Sequence, residues 1–255
     1  MRAVCKSLAI GVALASAFGA HPPAEADVIT TAVASDDASD PVYDNGWNTG
    51  VDGGTGFGPW IVGGSGPAGG GFIGGGTDID VAGEAFGVFG NNGDLGEGIR
   101  DFDVALTAGQ TFSITMDNGG IDNGGTVGFG LQNAGGDNLI EFFFVGGTSN
   151  YTVNAGSAAG TTPGFTASGL KIEVTPEAGG LYTLTIDELS NGSGVDHTVT
   201  GGLFNNSDQA ISRLRLFNAN GGPDVFFNDL LVTPEPASAM LIAAGALAML
   251  RRRRA

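Results

Sequence analysis

The 255-residue chain carries 27 acidic against 10 basic side chains, a formal net charge of −17, and 47 of its residues are glycine. Between Asp27 and Val232 the imbalance steepens to 25 acidic residues against Arg100, Lys171, Arg213 and Arg215, a net charge near −21. This excludes nucleic acid and anionic lipid as partners, since both need a basic footprint. The absence of a Gly-X-Y period excludes collagen, and one cysteine, Cys5, excludes a disulfide framework and the usual zinc sets.

Arg2 and Lys6 precede a run of apolar and small residues from Leu8 to Phe18. Ala24-Glu25-Ala26 follows with the small-x-small form that signal peptidase cuts, so residues 1–26 read as a secretory signal with Ala24 and Ala26 at the cleavage site. A second candidate cleavage point follows Ala17. Cys5 lies ahead of the apolar run, which rules out a lipoprotein cysteine. It leaves with the signal, so the domain expected at 27–232 is held by its core alone.

Residues 44–98 are the glycine-rich part, with 21 glycines in 55 positions. Apolar residues between the clusters predict strands joined by tight turns, and 63–76 reads as a mobile loop. Gly69-Gly70-Gly71-Phe72-Ile73-Gly74 fits Gly-x-Gly-x-x-Gly, but no amphipathic helix follows to receive a pyrophosphate, so a dinucleotide site is rejected. Tyr43, Trp47 and Trp60 have two readings: rings exposed for stacking on sugars, or a plug at one end of a sandwich.

Period-two alternation then recurs. Phe112, Ile114 and Met116 alternate with Thr111, Ser113 and Thr115, and Val127, Phe129 and Leu131 with Gly128, Gly130 and Gln132. Leu170, Ile172 and Val174, and then Tyr182, Leu184 and Ile186, repeat the pattern. Leu139 to Val145 is nearly all apolar and reads as a central strand. Ala210–Asn218 and Val225–Val232 complete the set. Asx-Gly and Pro-Glu-Ala-Gly-Gly turns separate these runs. Ten or more strands at this spacing predict an all-β fold, an antiparallel two-sheet jelly-roll sandwich.

Chemistry-bearing residues are few. His197 is the one histidine beyond residue 26 and no Gly-x-Ser-x-Gly elbow is present, so it reads as a strand histidine rather than part of a triad. Glu141 and Glu173 fall within strands; facing each other across a cleft, they would suit the acid and nucleophile of a glycan-active hydrolase or lyase. Asp117 and Asp122, in Asx-rich turns, supply oxygens suited to calcium, or else serve ordinary turn chemistry; no other cofactor is implied.

Several segments resemble a family of uncharacterised exported bacterial domains: Tyr43-Asp-Asn-Gly-Trp47, Gly56-Phe-Gly-Pro-Trp60, Val127-Gly-Phe-Gly-Leu131, Glu141-Phe-Phe-Phe-Val-Gly-Gly147 and Leu216-Phe-Asn-Ala-Asn220. The resemblance spans most of 43–232 and implies a concanavalin-like jelly roll, a fold class with many glycan binders. It brings no catalytic motif.

Pro234-Glu235-Pro236 closes the domain, since two prolines stop any helix from running back through them. The apolar run from Ala237 to Leu250 would reach about 21 Å as a helix, short of a hydrocarbon core of about 30 Å. Arg251, Arg252, Arg253 and Arg254 would hold its end on the cytoplasmic side. In this order the segment 233–255 resembles a PEP-CTERM sorting signal; the alternative is a plain membrane anchor. The resemblance implies a Gram-negative host that makes exopolysaccharide, transient insertion in the inner membrane, and processing by an exosortase. The expected whole is an exported cell-envelope or matrix protein, non-enzymatic, binding exopolysaccharide or serving as structure.

Overall fold

A computed structural model describes residues 32–235, apart from 193 and 207–209. The expected signal segment 1–26 with Ala24 and Ala26, the run from Pro236 to Leu250, and Arg251 to Arg254 lie outside the described residues. Within them, no helix is long and apolar enough to cross a membrane.

The strands are β1 (Ala34–Asp36), β2 (Ile61–Gly64), β3 (Gly69–Gly74), β4 (Ala85–Gly90), β5 (Leu95–Leu106), β6 (Thr111–Asn118), β7 (Thr126–Gln132) and β8 (Asn138–Val145). They continue as β9 (Thr152–Ala155), β10 (Ala159–Gly160), β11 (Leu170–Glu177), β12 (Leu181–Glu188), β13 (His197–Gly202), β14 (Ile211–Ala219) and β15 (Val225–Thr233). The larger sheet runs β10-β13-β12-β11-β6-β15-β4-β3, with β1 also on β15, and the smaller runs β2-β5-β14-β7-β8-β9. Every pairing is antiparallel. The protein is therefore the all-β, two-sheet sandwich that the alternation predicts.

The alternation sets the core. Phe112, Ile114, Leu170, Ile172, Val174, Leu184 and Ile186 face inward from the larger sheet, each fully buried. Phe129, Leu131, Ile140, Phe142, Leu214 and Leu216 meet them from the smaller one. Each such side chain contributes about 1.5–3 kcal/mol on leaving water. Leu139–Val145 is less buried than its apolar run suggests. It lies second from the edge of the smaller sheet, and Phe143 and Val145 are half-exposed on its outer face.

The expected mobile loop at 63–76 is corrected. Its ends form β2 and β3, edge strands of the two sheets. Glycine makes this possible by letting backbones meet where side chains would intervene. A Cβ on Gly96 would overlap the Phe89 carbonyl oxygen of the opposing sheet, and one on Gly90 the carbonyl oxygen of Asn218. The sandwich is thus pinched shut along this glycine seam.

Candidate functional site

Tyr43, Trp47 and Trp60 are buried, which corrects the reading of them as exposed sugar-stacking rings. They plug the glycine-rich edge. Trp47 slots between Gly71 of β3, where a Cβ would lie 2.7 Å from its ring, and Gly98 of β5. Its ring meets that of Trp60 edge-on at 4.9 Å and that of Phe86 at 5.1 Å. The Trp47 indole N–H is buried with no acceptor.

Arg100 organises the same region, a role that charge counting alone did not reveal. Its side chain is fully buried. It donates to the Gly58 and Gly53 carbonyls, each at 2.6 Å, and to Asp52 at 3.0 Å, and pairs with the Asp36 carboxylate. Its guanidinium lies over the Phe57 ring at 4.9 Å and the Trp60 ring at 5.1 Å. The Tyr43 hydroxyl donates to Asp36 at 2.6 Å and accepts the Trp60 indole N–H at 3.0 Å. Burial raises the Asp36 carboxyl above the usual range, against the opposing pull of Tyr43 and Arg100. Burial, reinforced by Asp36, likewise raises the Tyr43 phenol. One arginine thereby fastens three stretches of the N-terminal segment onto β5.

With the plug in place, the 43–48 turn stands beside edge strand β3. Asp40 starts that turn by accepting the amides of Val42 and Gly54, each at 3.1 Å, and these bonds, Gly54 first, lower its pKa. Between turn and strand lies an open groove of about 460 Å³. Exposed Asp44, Asn45 and Asn48 line one wall, and half-buried Phe72, Ile73 and Glu84 the other. Phe72 continues out of the groove onto the outer face of the larger sheet. There its ring lies 5.8 Å from Phe226 and 6.2 Å from Phe89.

The register builds this aromatic surface. Phe72 is opposite Gly87, Gly87 is opposite Phe226, and Phe226 is opposite Asp117. A Cβ on Gly87 would overlap the Phe72 ring, and one on Gly74 would lie 2.7 Å from it. The glycines are the floor on which the rings lie. Phe72, Phe89 and Phe226 are site residues that sequence reasoning missed. The available signal was Phe72 at the centre of Gly70-x-Phe72-x-Gly74, a period-two pattern with glycine as its small partner.

Other expected residues are dispersed. Glu141 projects from the outer face of the smaller sheet, held by the side-chain amides of Asn138 at 2.6 Å and Asn154 at 2.8 Å. Glu173 projects from the outer face of the larger sheet, in an ion pair with Lys171 at 2.7 Å. The core lies between them, which corrects the pairing of Glu141 with Glu173 across one cleft. His197 is a strand histidine between Glu188, at 3.0 Å, and the Thr161 hydroxyl, at 3.1 Å. Asp117 is buried at the end of β6 and accepts the Asp78 amide at 3.1 Å. Burial, with repulsion from Asp78 and Asp80, raises its pKa. Asp122 is exposed in the following turn. Among the described residues no three His, Cys, Asp or Glu side chains gather to hold a metal ion. Pro234 and Glu235 follow β15 directly.

No family model matches the chain, and no curated protein matches its sequence. Its structure is similar to that of a sialidase, with a TM-score of 0.54 at 10% identity, over 84% of this chain and 20% of that one. The chain thus spans about a fifth of the sialidase, and the likeness shows a shared fold. The globular domain of T. cruzi calreticulin superposes with a TM-score of 0.47 at 9% identity, over 76% of this chain and 95% of that one. A galectin-like protein of unknown function from Bacillus subtilis gives 0.41 at 11% identity, over 68% and 88%.

Proposed function

We propose that this is an exported, non-enzymatic polysaccharide-binding protein of the cell envelope or extracellular matrix, and that the groove beside β3 with its aromatic surface is the binding site. One observation carries the reading: half-buried Phe72 is at once a wall of the groove and part of a three-ring surface on a glycine floor. Such rings offer flat apolar faces to the C–H faces of sugars. Asn45, Asn48, Asp44 and Glu84 supply donors and acceptors along the same groove, the usual division of labour in a ligand site. Backbone pairing on both sides of β4 holds the rings, so little ordering entropy is spent on binding.

The proposed address is the terminal segment. Signal peptidase would release residues 1–26, and an exosortase would act at Pro234-Glu235-Pro236 while Arg251 to Arg254 hold the tail in the inner membrane. The end of β15 at Thr233 supports this, because cutting beyond it removes no strand. Mass spectrometry of the protein from its host tests the address; a retained arginine cluster refutes it.

Affinity electrophoresis through gels cast with the host exopolysaccharide tests the binding. Replacing Phe72 and Phe226 with alanine should abolish retardation while leaving the far-ultraviolet spectrum and a cooperative melting transition, its midpoint lowered by the lost ring packing. Undiminished retardation of a folded double variant refutes the site. Absence of any new reducing or unsaturated ends on prolonged incubation is expected, and their appearance refutes the non-enzymatic reading.

A further inference from the structure

We infer that the sugar recognised in this groove carries a positive charge: the ligand is an amine-bearing polysaccharide, one with free rather than acylated amino groups. This rests on the reading of the groove as a polysaccharide site and names the class of polymer it takes.

The inference follows from where the charges are. The described residues include four with permanent positive charge, and each is paired. Arg100 is buried against Asp36, Lys171 pairs with Glu173, Arg213 with Asp101 at 2.6 Å, and Arg215 with Glu97 at 2.6 Å. None lines the groove. A uronate or sialate would therefore meet a strongly negative surface with no cation to receive its carboxylate. The groove carries the opposite chemistry. Asp44 and Glu84 stand on facing walls, and neither has an ion-pair partner among the described residues. Phe72 belongs to the same lining, and its ring continues onto the aromatic outer face beside Phe89 and Phe226. A carboxylate beside an aromatic face is the combination that retains an ammonium group, by charge-assisted hydrogen bonding and cation–π attraction. An N-acetyl group keeps one amide N–H for the carboxylate but forfeits the ionic attraction and the cation–π contact.

Isothermal titration of the full protein tests this with three oligosaccharide series of equal length: β-linked glucosamine, β-linked N-acetylglucosamine and galacturonate. A sugar amine resembles an α-amino group, so at about pH 6, below a pKa of roughly 7.7, it is charged. Glucosamine oligomers should bind at least about tenfold tighter than the N-acetylated series, equivalent to about 1.4 kcal/mol, with the gap closing at high salt. Asp44→Asn with Glu84→Gln should remove that preference. Asp103→Asn with Asp137→Asn takes the same charge from distant exposed positions and should preserve it. Equal affinity for the two series, or preference for galacturonate, overturns the amine assignment and leaves the polysaccharide site standing. Equal loss in both variant pairs also overturns it, reducing the effect to diffuse attraction. Binding of none of the three, together with no retardation by host polysaccharide, overturns the site itself.

Discussion

Replacing Arg100 with methionine probes the clasp that holds the N-terminal segment. Methionine keeps much of the apolar stem while removing every donor. Asp36, whose side chain is fully buried, would then keep its Tyr43 bond but lose its counter-charge. The carbonyls of Gly53 and Gly58 would lose their side-chain donor. Breaking a buried pair from one side costs about 3–5 kcal/mol, because the remaining charge stays desolvated. For a domain of this size each kcal/mol moves the midpoint by about 2–4 °C, so a fall of roughly 6–20 °C is expected. Urea titration and calorimetry read it out. Two companions isolate the cause. Asp36→Leu added to Arg100→Met should recover much of the loss, since an apolar pair replaces a broken ionic one. Acidification should also rescue Arg100→Met more than the parent, since protonation removes the unpaired charge. A fall below about 1 kcal/mol, or a double variant no better than the single, would refute the clasp, because breaking a buried pair should cost several times more.

Gly96→Ala should destabilise by about 1–3 kcal/mol or more, since its Cβ meets a backbone oxygen that cannot rotate away; an unchanged urea midpoint would refute the seam. Asn228→Leu should cost about 2–4 kcal/mol, because the buried amide donates to the carbonyls of Ile79 at 3.1 Å and Glu84 at 2.7 Å and accepts the Ala38 amide at 2.9 Å. Hydrogen exchange should then accelerate first in 76–84. Burial is the largest cause raising Asp117, Asp224 and Asp229, none of which is in an ion pair among the described residues, so each holds its proton more tightly folded than unfolded. Their contribution is complete below the unfolded value of about 3.8 and is lost as pH rises through the raised values. Asp40, whose pKa is lowered, works the other way, but its contribution is lost only below about 3.8. The melting temperature should therefore rise as the pH is lowered from neutrality toward about 3.8, and a fall in scanning calorimetry would refute the assignment.

β6, β7, β8, β11, β12, β14 and β15 were legible because large apolar residues recur along their inward faces, whereas the short β9 and β10 and the glycine-ended β13 gave no such run. Phe112-x-Ile114-x-Met116 announces both period and face. The glycine-rich half hid its strands, since a glycine opposite an aromatic ring contributes no hydropathy signal and reads as loop. For that reason β3 looked mobile, and Phe72 was passed over in favour of the more conspicuous tryptophans. Trp47 and Trp60 resemble binding residues by type, yet their size is what fills the gap that Gly71 and Gly98 leave. Alternation placed Glu173 outward correctly and Glu141 within a strand, but a period of two says nothing about which sheet a strand joins, and the core came to lie between them. The surface of Phe72, Phe89 and Phe226 is completed only when distant β15 joins the consecutive strands β3 and β4 by pairing with β4, which no local pattern encodes.

The last described strand, β15, sits in the interior of the larger sheet, with β6 on one side and β4 and β1 on the other. A nascent polypeptide that stops short of Val225 has a gap down the middle of that layer. The first described strand, β1, also waits for a neighbour nearly 200 residues away in the register of Ala34 with Val232. Closure by such distant partners is slow, as loops must shut before any contact rewards them. The larger sheet can therefore be completed only after Val225–Thr233 has been made, so the strands before it have no full layer to pack on until then.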